Sequence, residues 1–267
     1  MKDWCDGSLQ DSSAVRIAPD DRGFTLGDGL FETIRVSDGA ALHGRRHLAR
    51  LRDGAATLGI PVVRDDDTIE AAWRQVLVAN MVVQGSLRLT LTRGPAPRGV
   101  APAASPRPTM LITAAAGRSM FGPVSLIVAG GTRRNEFSPL SRIKSLNYLD
   151  SVLARQEALR KGADDAILLN TRGMVAETSA ANLIALVDGV LVTPPVEDGA
   201  LPGIARGLLI ERGLVMVAPI CPNHLGQTDV LMLCNSLGVR GVVSLDGRVL
   251  RQRPDLIGQL CVGIREP

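Results

Sequence analysis

The chain has 267 residues, room for two modest domains or one large α/β unit. Hydrophobic residues make up 45%, which excludes a disordered chain, while aromatics at 3% leave an aliphatic core and little to stack on single-stranded nucleic acid. The formal net charge of +3 is spread thinly, and its tightest basic group (Arg45, Arg46, Arg50, Arg52) lies on a helix-like segment, so no nucleic-acid partner is expected.

Along the chain, Asp38-Gly39 is the first of three Asp-Gly pairs set between strand-forming runs; Asp188-Gly189 and Asp246-Gly247 are the others. Both positions of such a pair tolerate positive φ, so each predicts a hairpin, with antiparallel pairing in both halves of the chain. Leu48, Leu51, Ala55 and Leu58 predict a helix over 44–59, stopped by Gly59. Ile69, Ala72, Trp73 and Val76 predict a second over 67–83. Residues 94–108 hold too much Pro and Gly for either element and read as a long loop. A weak stretch at 114–123 reads as an interdomain connection. A third helix is predicted over 145–161, with Leu146, Leu149, Val152, Leu153 and Leu159 on its apolar side and Gly162 closing it. A shorter one follows over 203–212, ending before Gly213.

The pattern is that of an α+β fold in two domains, 1–115 and 124–267, joined by a linker at 116–123, each mixing antiparallel strands with helices. Cys5, Cys221, Cys234 and Cys261 show no C-x-x-C spacing and read as reduced thiols; no metal site is expected. The segment MKDWCDGSLQ has no apolar stretch of the secretory kind. No uncharged run approaches the ~18 residues of a membrane span. A cytoplasmic protein with no membrane partner is the expectation.

Three places invite chemistry. Lys144, in SPLSRIKSLNYLDS, sits where the third helix is expected to open, among small and apolar neighbours. A lysine drawn partly out of water there suits amine chemistry with an aldehyde; a solvated surface charge is the plain alternative. Glu177, in GMVAETSAANLIAL, lies between two strand-like runs. It is either a turn carboxylate accepting from backbone N–H groups near Thr178 and Ser179, or the counter-ion of a buried cation such as a pyridinium. Pro202-Gly203 precedes a helix whose free N–H groups could meet a phosphate, although such a start is common without any ligand.

Five segments stand in one order: DRGFTLGDGLFETIRV (21–36), HLARL (47–51), IKSLNYL (143–149), ETSAAN (177–182) and LPGIAR (201–206). Together they resemble the class IV, fold-type-IV enzymes that use pyridoxal 5'-phosphate (PLP), over nearly the whole chain. The resemblance implies that Lys144 carries the cofactor and moves the proton at the substrate carbon. It implies that Glu177 pairs with the pyridine nitrogen, and that Arg50 of the H-x-x-R-L segment binds the phosphate together with Gly203, Ile204 and Ala205 at a helix start. The family often has Thr where Ala205 stands, so one hydroxyl contact is missing. Tyr148 and Asn182 match residues that line the cofactor pocket. Family members are homodimers, so the resemblance also implies a homodimer acting on a small-molecule amino substrate.

The family includes branched-chain transaminases, D-amino-acid transaminases and 4-amino-4-deoxychorismate lyases. LTLTRGPAPRGV (89–100) resembles a segment shared by the lyases and the D-amino-acid enzymes, which makes Arg98 the expected ligand of a substrate carboxylate. Phe31 and Val100 stand where the D-amino-acid enzymes place a tyrosine and a histidine, and this argues against that specificity. Cys234-Asn235-Ser236-Leu237 resembles the lyases' N-S-L segment and puts Asn235 and Ser236 near phosphate or substrate, although the chain is one residue shorter after Leu237 and has Gly241 where proline is usual. The reading is therefore a lyase that makes 4-aminobenzoate and pyruvate for the folate pathway. The alternative is a class IV aminotransferase acting on D-amino acids, branched-chain amino acids or (R)-amines with a keto-acid acceptor. A non-catalytic PLP-binding scaffold is the third.

Overall fold

The computed structural model describes residues 1–117 and 122–265. They form two compact units: 1–117 with Ile143–Asn147, and 122–142 with 148–265.

The first unit contains β1 (Lys2–Cys5), β2 (Ser8–Asp11), α1 (Arg22–Leu26), β3 (Gly29–Ser37), β4 (Ala40–Ala41), α2 (Gly44–Leu58), α3 (Asp66–Ala79), β5 (Gly85–Thr92) and β6 (Thr109–Ala116). Its sheet runs β2-β1-β6-β5-β3-β4, antiparallel at every pairing. The two-residue period turns Leu30, Ile34 and Val36 of β3 and Leu87, Leu89 and Leu91 of β5 to one face, where Leu48 and Leu51 of α2 and Ile69, Trp73 and Val76 of α3 bury against them. Helix α2 ends as expected on Gly59 in the left-handed region. Helix α3 ends at Ala79, four residues before the expected 83. Asn80 accounts for this: its amide donates to Val76 O at 2.8 Å and Lys2 O at 2.7 Å, and Met81 then turns to φ +53°.

The second unit contains β7 (Val124–Val128), α4 (Leu149–Arg160), β8 (Asp165–Leu169), β9 (Val175–Thr178), β10 (Asn182–Val187), β11 (Val190–Thr193), α5 (Ile204–Glu211), β12 (Met216–Val217), α6 (Pro222–Gln227), β13 (Leu231–Asn235), β14 (Gly238–Leu245), β15 (Arg248–Val249) and α7 (Pro254–Gly263). Its sheet runs β12-β11-β10-β13-β14-β7-β8-β9, with β15 on β14. This mixed sheet is parallel at β11–β12, β14–β7 and β7–β8. One core joins β10, β13 and β14 to Ile220 and Leu225; another joins them to α5 and α7.

All three expected Asp-Gly turns join neighbouring antiparallel strands, with both residues at positive φ (52° and 75° at Asp38-Gly39). Asp6-Gly7 makes a fourth, between β1 and β2.

The third helix differs from expectation in start and in face. Its backbone is committed elsewhere up to residue 146: Leu30 bridges Ser145, the Phe31 N–H donates to Lys144 O, and the Leu146 N–H donates to Gly29 O, both at 2.9 Å. Residues 144–146 thus lie along β3, and the helix opens only at Leu149. These bonds also place Ile143–Asn147 with the first unit, although the sequence put them inside 124–267. Helix α4 buries Ala154 and Ala158 against Ile127, Ala166 and Leu168. Its expected apolar side faces out, with Leu149 at 74%, Leu153 at 49% and Leu159 at 62% exposure. Alanines allow a closer approach of helix to sheet than leucines do.

The expected linker at 116–123 begins on the last residue of β6, and its residues 118–121 lie outside the described residues. Among the described residues, no helix is long and apolar enough to cross a membrane.

Candidate active site

Within the first unit, Phe31 and Lys144 are brought together. Beyond the backbone bond between them, Lys144 Nζ stands 4.4 Å from the centroid of the Phe31 ring. Lys144 is half-buried in a turn rather than in a helix. Phe31 points away from the α2–α3 core, because it alternates with Leu30 and Glu32. The arginine that reaches its ring is Arg88 of β5, with Cζ 4.0 Å from the centroid. Arg98 stands exposed on the loop between β5 and β6. That loop is pinned by buried Arg22, which donates to Val100 O at 2.8 Å and Gly99 O at 3.0 Å while its Nε bonds Asp28. Arg93 bonds the same Asp28 oxygen at 2.7 Å.

Arg50 lies on the core side of β3. Its Nε donates to Glu32 Oε1 at 2.9 Å and its Nη2 to Glu32 Oε2 at 2.6 Å. His47 Nδ1 is 2.7 Å from the same Oε2; an ionised carboxylate only accepts, so Nδ1 carries the proton. Glu32 and His47 are each 1% exposed. Burial raises the Glu32 pKa, but hydrogen bonds from His47 and Arg50 and the Arg50 charge outweigh it and hold the carboxyl below its ordinary value. Burial, reinforced by the Arg50 charge, takes His47 below its ordinary value despite Glu32. The set is therefore an ion pair with a neutral imidazole beside it.

Sequence reasoning assigned Arg50 and passed over Glu32 and His47. The signal was present: an acid standing in the register of Leu30, Ile34 and Val36 is turned into the core and requires a cation there.

Within the second unit, Glu177 lies in β9 rather than in a turn. Its Oε2 accepts from Leu201 N at 3.0 Å and from Asn182 Nδ2 at 3.4 Å, and its Oε1 lies 3.1 Å from Arg134 Nη2. Asn182 also donates to Leu201 O at 2.9 Å. Arg134 escaped sequence reasoning because TRRNE carries no periodicity that marks one arginine as inward.

Gly203 is the N-cap of α5 and brings no side chain to cap the first turn. A Cβ on it would collide with Asn182 Oδ1, so glycine is what allows the start of α5 to lie against Asn182. Ile204 and buried Ala205 open the helix. Arg206, also buried, donates to Pro194 O at 2.9 Å and keeps an unpartnered Nε. Asn235 ends β13 beside the start of β10, where Cys234 pairs with Asn182. Its amide donates to Ala180 O at 3.3 Å and its oxygen accepts from Leu237 N at 2.9 Å, so Asn235 shapes the turn that carries Ser236. Cys234 is fully buried, and burial pushes its thiol up to about 12. Tyr148 holds the N-cap position of α4 and is half-buried.

The class IV amino-transferase family model matches residues 29–245. The chain belongs to that family. It is 30% identical to the D-alanine aminotransferase of Bacillus licheniformis, over 94% of this chain and 90% of that protein. Its fold superposes on the 4-amino-4-deoxychorismate lyase of Pseudomonas aeruginosa with a TM-score of 0.83 at 32% identity, covering 97% of each chain. The branched-chain amino acid aminotransferase of Escherichia coli gives 0.91 at 26% identity, covering 99% of this chain and 94% of the other. The chain is therefore an enzyme of the fold-type-IV class, which depends on PLP.

The residues present fit that cofactor. An amine is available at Lys144 and an ionisable acid at Glu177. The start of α5 has no capping side chain, and the buried guanidinium of Arg206 supplies positive charge close by, the setting in which an anion binds.

Proposed function

We propose that this class IV enzyme is a 4-amino-4-deoxychorismate lyase, releasing 4-aminobenzoate and pyruvate. The observation that carries the reading is Lys144 held over Phe31. A phenyl ring beside the reactive amine offers a flat apolar wall to a six-membered ring and no hydrogen bond to a small amino acid. The resemblance of Asn235-Ser236-Leu237 to the lyase segment supports the same choice.

In this reading Lys144 removes the proton from the amine-bearing ring carbon. The bond to the enolpyruvyl oxygen breaks, the ring becomes aromatic, and a proton returned to the departing enolpyruvate gives pyruvate. Atoms balance without an amino acceptor. The bound cofactor supplies the electron sink for the carbanion. Glu177, in contact with Arg134, Asn182 and the Leu201 N–H, would pair with the cofactor nitrogen and keep it protonated. By the resemblance, Arg50, Gly203, Ile204 and Ala205 would each be phosphate ligands, and Tyr148, Asn182 and Ser236 would be cofactor-pocket residues. Arg98 and Asn235 are assigned to the substrate.

The 30% identity to a D-alanine aminotransferase favours a second reading, amino transfer to a keto acid. Phe31 and Val100 speak against D-amino acids in particular. Purified enzyme given aminodeoxychorismate separates the two: the lyase forms 4-aminobenzoate and pyruvate in equal amounts, whereas a transaminase converts its cofactor with D-alanine or leucine and forms no 4-aminobenzoate.

We assign a homodimer as the working form. The exposed leucine side of α4 supports this, since apolar area of that kind is normally covered. Four free thiols support a cytoplasmic location.

A further inference from the structure

We propose that Arg22 is a positioning residue for the substrate: it grips the loop between β5 and β6 and so fixes how Arg98 is presented. The inference rests on Arg98 meeting the substrate, as assigned above.

A loop of this length takes its order from its surroundings, and here Asp20, Asp21 and Arg22 supply it. Buried Asp21 closes the neck. Its Oδ2 accepts from Thr92 Oγ1 at 2.9 Å and from Thr109 Oγ1 at 2.8 Å, the last residue of β5 and the first of β6. The entering arm is fixed by backbone: the Arg22 N–H donates to Gly94 O at 3.0 Å, and the Ala96 N–H donates to Asp20 O at 3.2 Å. The returning arm is fixed by the Arg22 side chain. Its Nη1 donates to Gly99 O at 3.0 Å and Ala101 O at 3.3 Å, and its Nη2 to Val100 O at 2.8 Å. Pro97 and Arg98 are what remains between the two arms, so Arg98 rides on a short arch held at both ends.

Arg22 is itself held from behind. Its Nε donates to Asp28 Oδ2 at 2.7 Å, and Arg93 bonds both oxygens of Asp28 while donating to Leu58 O at 2.6 Å and Gly59 O at 2.9 Å, at the end of α2. The grip on the loop is thereby anchored to the helix that carries Arg50. No residue of 93–108 belongs to the core of the first unit, so the buried charges that order this loop serve what it presents. A planar guanidinium suits the task, because one rigid fork meets three successive carbonyls; an ammonium on a flexible stem fixes them less well. A loop ordered in advance loses less entropy when the substrate arrives, and this shows in KM more than in kcat.

The test uses holoenzyme of wild type, Arg22→Met, Arg22→Lys, Arg98→Ala and the double variant of Arg22→Met with Arg98→Ala. Arg93 still holds Asp28 in Arg22→Met, and the released carbonyls of Gly99 and Val100 face water, so the fold should survive. Should it not, Arg22→Lys is scored in its place. Trypsin should cut after Arg98 about tenfold faster in Arg22→Met than in wild type. With aminodeoxychorismate its KM should rise about fivefold or more, with kcat and PLP affinity within about twofold and Arg22→Lys between. In the Arg98→Ala background Arg22→Met should raise KM less than about twofold further, since the residue it positions is gone. Unchanged cleavage, an unchanged KM, a fall in kcat alone, or the full further rise of KM in the double variant overturns the inference. An Arg98→Ala enzyme with wild-type KM also overturns it, and traces the failure to the assignment of Arg98. A wild type that forms no 4-aminobenzoate fails the lyase reading alone. The same comparisons are then scored with leucine or D-alanine, whichever converts the cofactor.

Discussion

Glu32 receives Arg50 through two hydrogen bonds, at 2.9 and 2.6 Å, in a place where water barely reaches the carboxylate. The pair fixes the guanidinium of a residue assigned to the cofactor phosphate. Removing one partner of a buried pair strands the other charge, a loss of about 3–5 kcal/mol. Glu32→Ala is expected to unfold at distinctly lower urea and to release PLP more readily on dialysis. Glu32→Gln keeps the shape, and so should lose less stability while still weakening PLP binding.

The same cluster sets the acid limit of stability. His47 is held below its ordinary value, so the unfolded chain takes up that proton first, and stability falls as pH drops below about 6.5. Glu32 is also depressed; its contribution is complete above the ordinary carboxylate value and is lost as pH falls through its lower folded one. Urea midpoints measured from pH 8 to about 2.5 should decline in two stages. His47→Gln should remove the first and leave the second.

Glu177 has a cation of its own in Arg134, 3.1 Å away. Glu177→Gln removes the charge and keeps an acceptor for Leu201 N, so the fold should survive. Activity should fall about 10²–10³-fold, the scale of one lost electrostatic contact to a charge that develops in the transition state. A Glu177→Gln enzyme with unchanged kcat would remove this residue from the mechanism.

Gly203→Ala places a methyl group against Asn182 Oδ1 and must push the start of α5 and Asn182 apart. A loss of about 1–3 kcal/mol is expected from the overpacking. PLP should bind more weakly in proportion, as measured by fluorescence titration of the apoenzyme. Gly213→Ala, at the far end of the helix and with no atom within 4 Å of the added Cβ, is the control for helix effects; its left-handed φ makes it lose stability without touching PLP affinity.

The parts legible in the sequence are those governed by local rules. Asp-Gly turns, the buried stripes of α2 and α3, and Gly59 as a stop follow from φ preferences and periodicity. What escaped depends on distant partners. Residues 145 and 146 were read as helix because Leu146 continues the spacing of Leu149 and Val152, yet β3 takes their backbone first. The apolar side of α4 was misjudged because leucines outweigh alanines in any hydropathy count, while close packing favours the alanines. Arg134 and Arg88 were invisible for a related reason: each is made significant by one residue remote in sequence, Glu177 and Phe31. Lys144 and Glu177 were singled out by the segments that resemble class IV enzymes rather than by any local rule.

The central claim concerns the proton that Lys144 moves. Aminodeoxychorismate should be given to wild-type holoenzyme and to Lys144→Ala, with 4-aminobenzoate followed by fluorescence and pyruvate by a coupled dehydrogenase. The account predicts equal formation of both products by wild type, without any added keto acid, and none by Lys144→Ala. Fast conversion of the wild-type cofactor by D-alanine or leucine, with no 4-aminobenzoate formed, would contradict it.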